Sequence, residues 1–567
     1  MFVAAALTFV ITAALYGRLE LGRDFPLTSF DRGHFRVYEA ILGGRGGLVA
    51  TDVAFPVGGL ARYMGWVGVA ITGMLQPIFG PLGAYVLATW AGPALGAALA
   101  VPLLRAVTRA DLPTAVLLSP IAALSPVVVG FLRSGQTAKS HVWTLELAVL
   151  CVWAGMAHAR ARWPLLAVAA ASMLVGFQAP PLALVLPFAV AVPVVAAVAA
   201  APRPARRAAI LRGGALLAAV AAGLMAPTAY TGSGVPPSGS GPVVQRAADA
   251  PIYLMIPAQN ADASMGGIAT PSVAEPIGMF VGPTPDTTTP DASIHVTYVG
   301  VPALILALVC ARRRGRGWAF GAALTSLGIT IAIGPYLGWG SAYIVVADRL
   351  LPGPAFLLRA VGYPLNASGL WYRALVLVGP GLAVLSASAV ATLPSRRARL
   401  AAGAATLLVL GDTLRATAPL LPIPSAPVEG RELLARITAD TTPGAVLELP
   451  LERAARNAES ALLRTALHGR ASSVMPHHTL FAIHPHLRAL DMRLRAALAT
   501  SDPAAALRAA GFAWVILDTL AGPPPMPNHA PASPMALTPG VTEAALTQAL
   551  GPPTITSTLR AWSLAPR

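Results

Sequence analysis

"RPARRAAILRGGALLAAVAAGLMA", residues 203–226, sets Arg203, Arg206, Arg207 and Arg212 against a run that carries no charge at all. An uncharged helix of roughly 20 residues is what crossing about 30 Å of hydrocarbon requires. Lipid offers the backbone no hydrogen-bond partner but itself, so such a run reads as a transmembrane helix. Arginines at one end of it mark the end that stays in the cytoplasm. The pattern recurs along the chain. Arg105 and Arg109, Arg160 and Arg162, Arg312, Arg313, Arg314 and Arg316, and finally Arg396, Arg397 and Arg399 all fall in short connections between apolar runs.

The composition agrees with that reading. Of 567 residues, 55% are hydrophobic and only 11% charged, and the mean hydropathy of +0.65 lies well above that of soluble domains. The formal charge of +16 sits in the loops, so it reads as topology and contact with anionic lipid; no nucleic-acid motif accompanies it. Cys151 and Cys310 both lie in predicted spans, which excludes a disulfide framework or a thiolate metal site from the reading. The run from Phe2 to Tyr16 has neither the basic lead nor the cleavage pattern of a secretory leader and is read as the first span.

Hydropathy and breaker residues predict about eleven spans, over 2–19, 82–104, 113–132, 141–158, 163–177, 180–200, 208–226, 296–311, 317–336, 372–393 and 399–417. With a cytoplasmic N-terminus, every arginine cluster lands inside. The other side receives loops 20–81, 227–295 and 337–371 and all that follows 417. The fold class expected is therefore a polytopic α-helical membrane protein, with a multi-pass domain over 1–417 and a soluble extracytoplasmic α/β domain over 418–567. In the latter, "RELLARITAD" patterns as an amphipathic helix and "GAVLELPL" as a buried strand. "AAALRAAGFAWVILDTL" patterns as a helix turning at Gly511 into a strand, and "TITSTLRAWSLA" as a closing strand or hairpin.

Candidate chemistry concentrates in the outer loops. In "TSFDRGHFRVYEAILGG", residues 28–44, a helix beginning near Phe30 puts Asp31 and His34 on one face and Phe35, Tyr38 and Leu42 on another. Such a helix lies along the membrane surface with its carboxylate available to a substrate, and Glu39 falls to its solvated side. The alternative is that these are all ordinary solvated charges. Asp24 and Asp52 share the loop with the turn-rich "GGRGG" and "FPVGG". Around "RAVGYPLNASGLWYR", Arg359 and Arg373 supply planar donors for a phosphate, against the plainer roles of a headgroup contact and a helix cap. Arg133, Gln136, Lys139 and His141 in "RSGQTAKSH" form a further polar cluster, and Glu146 lies one turn inside the next span, where an ionisable group is costly. Asp412 and Arg415 read as a helical ion pair. His468, His477, His478, His484 and His486 lack a zinc-ligand spacing and read as surface or interface residues. Glu448, within the predicted strand, is given no catalytic role.

"SFDRGH", "TDVAFPVGG", "HVTYVGVPAL", "LLPGPAFLLRAVGYPLNASGLWYRA", "PGAVLELPL" and "LRAAGFAWVILD" together resemble the GT-C superfamily of integral-membrane glycosyltransferases along nearly the whole chain. That resemblance implies a GT-C-like bundle and transfer of a sugar from a polyprenyl-phosphate-linked donor to an envelope glycan, lipid or protein acceptor on the outer side. Carried over, the reactive carboxylate is Asp31, as general base or as ligand of a divalent cation, Mg or Mn, with His34 beside it. Arg359, Arg373 and Arg133 would bind the donor phosphate, and Asp24, Asp52, Gln136, His141 and Glu146 would line the cavity. Several members carry two adjacent or near-adjacent acids in this loop; here Arg32 and Gly33 follow Asp31. The implied location is a bacterial cytoplasmic membrane. The competing reading is a non-enzymatic transporter or flippase, which the lack of an internal repeat and the placement of polar residues in outer loops disfavour.

Overall fold

The computed structural model describes residues 1–26, 35, 38–39, 41–42, 65–135, 137–157, 162–178, 180–233, 298–313, 315–339, 342–347, 349–360, 371–418, 421–423, 425–449, 455–473, 484–519, 542–556 and 558–565. Two compact units emerge, one from Met1–Arg18, Met64–Gly68 and Leu87–Ile423, the other from Leu19–Tyr63, Val69–Val86 and Pro424–Arg567.

The first unit is helical. Its helices are α1 (Phe2–Ala14), α2 (Trp66–Thr108, of which 69–86 belong to the second unit), α3 (Leu112–Ala123), α4 (Pro126–Ser134), α5 (Thr137–Ser140), α6 (Trp143–Ala157), α7 (Arg162–Gln178), α8 (Pro180–Ala200) and α9 (Arg203–Ser233). After these come α10 (Val301–Arg312), α11 (Trp318–Ala332), α12 (Phe356–Ala360), a 3-10 turn (Trp371–Leu377), α13 (Val378–Val390) and α14 (Ser395–Thr417). Among the described residues, five helical stretches are long and apolar enough to cross a membrane: Trp66–Thr108, Thr137–Ala157, Leu182–Ala200, Arg203–Met225 and Arg373–Val390.

Two predicted spans take a different form. The helix expected at 82–104 starts at Trp66 and bends at Gly80, whose φ of +66° a residue with a side chain rarely adopts. The run 113–132 breaks into α3 and α4, bent by 51°. Pro126 forces Ser125 into an extended conformation and then opens α4 as its first residue.

All thirteen residues of α13 are buried. It meets α11 nearly backbone to backbone, since a Cβ on Gly381 would lie 2.7 Å from the Thr325 nitrogen and one on Gly321 2.8 Å from the Gly381 oxygen. Small residues permit that approach between apolar helices.

In the second unit, β1 (Asp24–Pro26) pairs antiparallel with β2 (Ser425–Pro427). A four-stranded sheet has the order β3 (Ala445–Leu449), β4 (Phe512–Asp518), β6 (Leu559–Ser563), β5 (Thr554–Ile555), with β3 and β4 parallel and the other pairs antiparallel. Side chains alternate across it. Leu447, Leu449, Val515 and Trp562 face α17 (His484–Leu498), α18 (Pro503–Ala509) and α19 (Glu543–Leu550). Val446, Trp514, Ile516 and Ala561 face α15 (Arg431–Ala439), which packs with α16 (Ala455–His468). A separate apolar cluster joins Phe25, Phe35, Tyr38 and Tyr85 to Leu463 and Ala466 of α16.

Gly381→Leu, which must displace backbone rather than a flexible side-chain end, is expected to destabilise the protein by about 1–3 kcal/mol or more, read as a lower melting temperature in detergent. An unchanged melting temperature would refute the close α11–α13 approach.

Candidate active site

The polar segment 133–146 lies inside the helical unit. Gly135 ends α4 and the chain makes the single turn α5, so that Thr137, Ser140, His141, Thr144 and Glu146 are all buried. Buried polar groups need partners, and most of these find them locally. The Ser140 hydroxyl donates to the Thr137 carbonyl at 2.8 Å and the Thr144 hydroxyl to the His141 carbonyl at 3.0 Å. Trp143 Nε1 donates to His141 Nδ1 at 3.0 Å, an acceptor role that leaves the ring proton of a neutral imidazole on Nε2. The Lys139 ammonium stands 5.7 Å from the centre of the Phe131 ring.

Gln178, fully buried at the end of α7, ties this segment to the start of α2. Its Nε2 donates to the Ala138 carbonyl at 3.1 Å, and its Oε1 accepts from the Val67 and Gly68 nitrogens at 3.0 and 3.3 Å. The first amides of a helix have no intrahelical acceptor, and here a side chain from a distant helix supplies one. The neighbouring Phe177 carbonyl accepts from Gly65 at 2.9 Å.

Arg133 closes α4, and α4 packs against the 3-10 turn that carries the buried Arg373. Two of the three arginines expected at a donor phosphate thus stand on adjoining elements. Glu146 is the one acid of this segment. Neither of its oxygens has a hydrogen-bond partner among the described residues, and a Cβ on Gly96 would stand 3.8 Å from its Oε2.

Asp31, His34, Asp52 and Gln136 lie outside the described residues, as does the side chain of Arg359, whose backbone belongs to α12. Asp24 is buried in β1, where its Oδ2 accepts from the Glu20 nitrogen at 2.9 Å and closes the preceding turn. Glu39 departs from its expected solvated position: it is buried, and Gln76 Nε2 donates to its Oε2 at 3.4 Å. Phe35, Tyr38 and Glu39 share one helical face by their i, i+3, i+4 spacing, so the face that buries the aromatics also buries the acid. Asp412 and Arg415 form the expected ion pair, 2.8 Å apart, with the Tyr298 hydroxyl donating to Asp412 Oδ2 at 2.7 Å.

Gln178 escaped sequence reading, its one signal being a lone amide in "GFQAPP" between two apolar runs. A second network that escaped it lies in the second unit. Glu448 and Asp518, on the adjacent parallel strands β3 and β4, both accept from Arg464 of α16 at 2.8 Å. His468 Nε2 stands 3.9 Å from Glu448 Oε1. Burial by itself would raise the Glu448 carboxyl, but the charge and hydrogen bonds of Arg464, with His468 close by, hold it below the ordinary carboxylate range.

No family profile matches the chain, and no curated protein matches it in sequence. Among solved structures it is similar to the archaeal oligosaccharyltransferase AglB from Archaeoglobus fulgidus in complex with an inhibitory peptide and a dolichol-phosphate, at 12% identity over 91% of this chain and 69% of that one, with a TM-score of 0.47. It is similar also to the arabinofuranosyltransferase AftD from Mycobacteria, at 16% identity over 100% of this chain and 40% of that one, TM-score 0.47. A third likeness is to ArnT from Cupriavidus metallidurans, at 12% identity over 99% of this chain and 98% of that one, TM-score 0.38.

Two outcomes are expected from these networks. Gln178→Leu strands two amides and a carbonyl and should cost about 1–3 kcal/mol, measured by thermal unfolding in detergent; a neutral result would mean that Gln178 does not hold α2. Arg464→Met removes the arginine paired with the buried Glu448 carboxylate and should cost about 3–5 kcal/mol. Because the folded Glu448 carboxyl titrates below its unfolded value, its contribution is fully present above about pH 4.3 and is lost as pH falls through the folded value. Glu448→Gln should accordingly flatten the acid limb of the stability profile; an acid limb as steep as that of the parent would count against the pairing.

Proposed function

We propose that this chain is a polytopic membrane glycosyltransferase of the GT-C type that moves a sugar from a polyprenyl-phosphate-linked donor to an envelope glycan, lipid or protein acceptor on the outer side of a bacterial cytoplasmic membrane. One observation carries the reading beyond the sequence resemblance. Arg133 and Arg373 stand on adjoining elements of a unit built from apolar helices, with Lys139 in the same segment as Arg133. Ionisable groups held within such a bundle mark places where polar substrates pass or bind, and a polyprenyl phosphate is an anion with an apolar tail. Arginine's fork of donors suits its phosphate oxygens.

In this reading Asp31 takes the proton from an acceptor hydroxyl as that oxygen bonds to the anomeric carbon. The bond from that carbon to the phosphate oxygen breaks, and Arg133, Arg359 and Arg373 hold the departing polyprenyl phosphate. His34 orients Asp31, while His141 and Glu146 shape the cavity. Asp24 is already engaged in its own turn, so its part is structural. In the alternative role for Asp31, it would hold a divalent cation, Mg or Mn, that would supply further charge at the phosphate; among the described residues no three His, Cys, Asp or Glu side chains converge on a metal position. The topology that goes with this proposal has eleven spans, a cytoplasmic N-terminus and residues 418–567 on the outer side.

The test is transfer of labelled sugar from lipid-linked donors by the purified full-length protein. Asp31→Asn should lower kcat by about 100-fold or more, and Arg373→Gln should lower kcat/KM for the donor about tenfold to 100-fold. Full activity of Asp31→Asn would remove that carboxylate from the chemistry. Solute flux in liposomes with no turnover on any donor would replace the enzyme by a transporter.

A further inference from the structure

Helices α10 and α14 pack against each other and both pack on α13. They run antiparallel, because Tyr298, just ahead of α10, bonds Asp412 near the end of α14. The end of α10 therefore lies towards the start of α14. On α10, Ala303, Leu306, Ala307 and Cys310 turn into the cores, the last three against Leu385 and Ala389 of α13. The opposite face is apolar yet exposed: Ile305 at 52%, Leu308 at 60% and Val309 at 55%, running at helical spacing into exposed Arg312 and Arg313.

The same pattern stands on α14. Ala398, Ala402, Ala405 and Val409 are buried, whereas Leu400 and Leu407 are 68% and 76% exposed and follow directly on the exposed Arg396 and Arg397. Nothing lies within 4 Å of where a Cβ on Gly403 or Gly411 would project. Arg399 is paired with Asp111 at 3.2 Å. The segments 312–317 and 388–400 contain no Asp or Glu.

We propose that this face is a binding site for an anionic phospholipid, its phosphate held by Arg312, Arg313, Arg396 and Arg397 and its acyl chains laid on the Leu308, Val309, Leu400 and Leu407 stripes. The charge lies at one end of the apolar stripes only, which matches an amphiphile whose headgroup caps its tails. A second copy docked about a two-fold axis through that end would set these arginines against their own counterparts. Basic clusters flanking membrane helices attract anionic lipid with about 1 kcal/mol per arginine. The proposal is independent of the glycosyltransferase reading, since it concerns lipid occupancy and not turnover.

The experiment measures lipid retained by the full-length protein in detergent, by native mass spectrometry, with phosphatidylglycerol, phosphatidylcholine and inorganic phosphate as probes. Retention of phosphatidylglycerol should exceed that of phosphatidylcholine at least about tenfold, the effect of a little over one such arginine contact. The combined Arg312→Gln, Arg313→Gln, Arg396→Gln and Arg397→Gln variant should reduce that preference to about twofold or less. Arg431→Gln with Arg436→Gln, exposed on α15 of the second unit, should leave it intact. On the unmodified protein, raising salt from about 0.1 M to about 1 M should erode the preference, as the screening length falls from about 10 Å to about 3 Å. Preference kept in the combined variant, lost equally in the α15 variant, indifferent to salt, or displaced by inorganic phosphate at matched concentration would each overturn the proposal.

Discussion

Backbone amides and carbonyls inside a sleeve of apolar helices have only the protein itself to bond to, and this demand shapes the first unit more than any other. Where α2 begins, its leading amides find Oε1 of Gln178; where the chain turns at α5, the Ala138 carbonyl finds Nε2 of the same side chain. One amide therefore satisfies both ends of a gap that neither helix closes by itself. The break between α3 and α4 is handled differently. Proline removes a donor there and opens the next helix, so fewer groups are left to satisfy.

The same demand separates the polar residues whose bonds close locally from those whose bonds do not. Ser140, Thr144 and His141 spend their capacity within a few residues of themselves, and the Tyr298–Asp412–Arg415 group closes on itself beside α10. Glu146 does not: its two carboxyl oxygens are buried and without a hydrogen bond among the described residues. In a hydrocarbon-like interior such a group is held at a cost. In the second unit the contrast is reversed, since the buried Glu448 and Arg464 and the half-buried Asp518 offset one another, and the parallel pairing of β3 and β4 puts the two acids on neighbouring strands.

What can be read along the chain is whatever depends on local order. Apolar runs beside arginine clusters fold as helices, and among the described residues five stretches are long and apolar enough for a bilayer, because the pattern needs only hydropathy and spacing. "RELLARITAD" folds as α15 and "GAVLELPL" as β3, and Gly511 does separate a helix from a strand. Arg133, His141, Glu146 and Arg373 stood out by being polar in apolar surroundings, and all four are placed on elements of one unit. Gln178 did not stand out, because a single uncharged amide says nothing of the distant helix start it caps. Nor did Arg464, whose acids lie 16 and 54 positions away in the chain.

By itself the sequence determined the helical class, the positions of the basic ends and the polar points inside apolar runs, since each of these is a property of neighbours along the chain. Only the tertiary structure decided that β1 and the aromatics Phe25, Phe35 and Tyr38 belong with residues from 424 onward, and that Glu39 is buried with those aromatics. It also decided that Arg133 and Arg373 occupy adjoining elements. Those pairings join residues hundreds of positions apart, and the hydrogen bonds and close packing that select them leave no periodic trace in the order of amino acids.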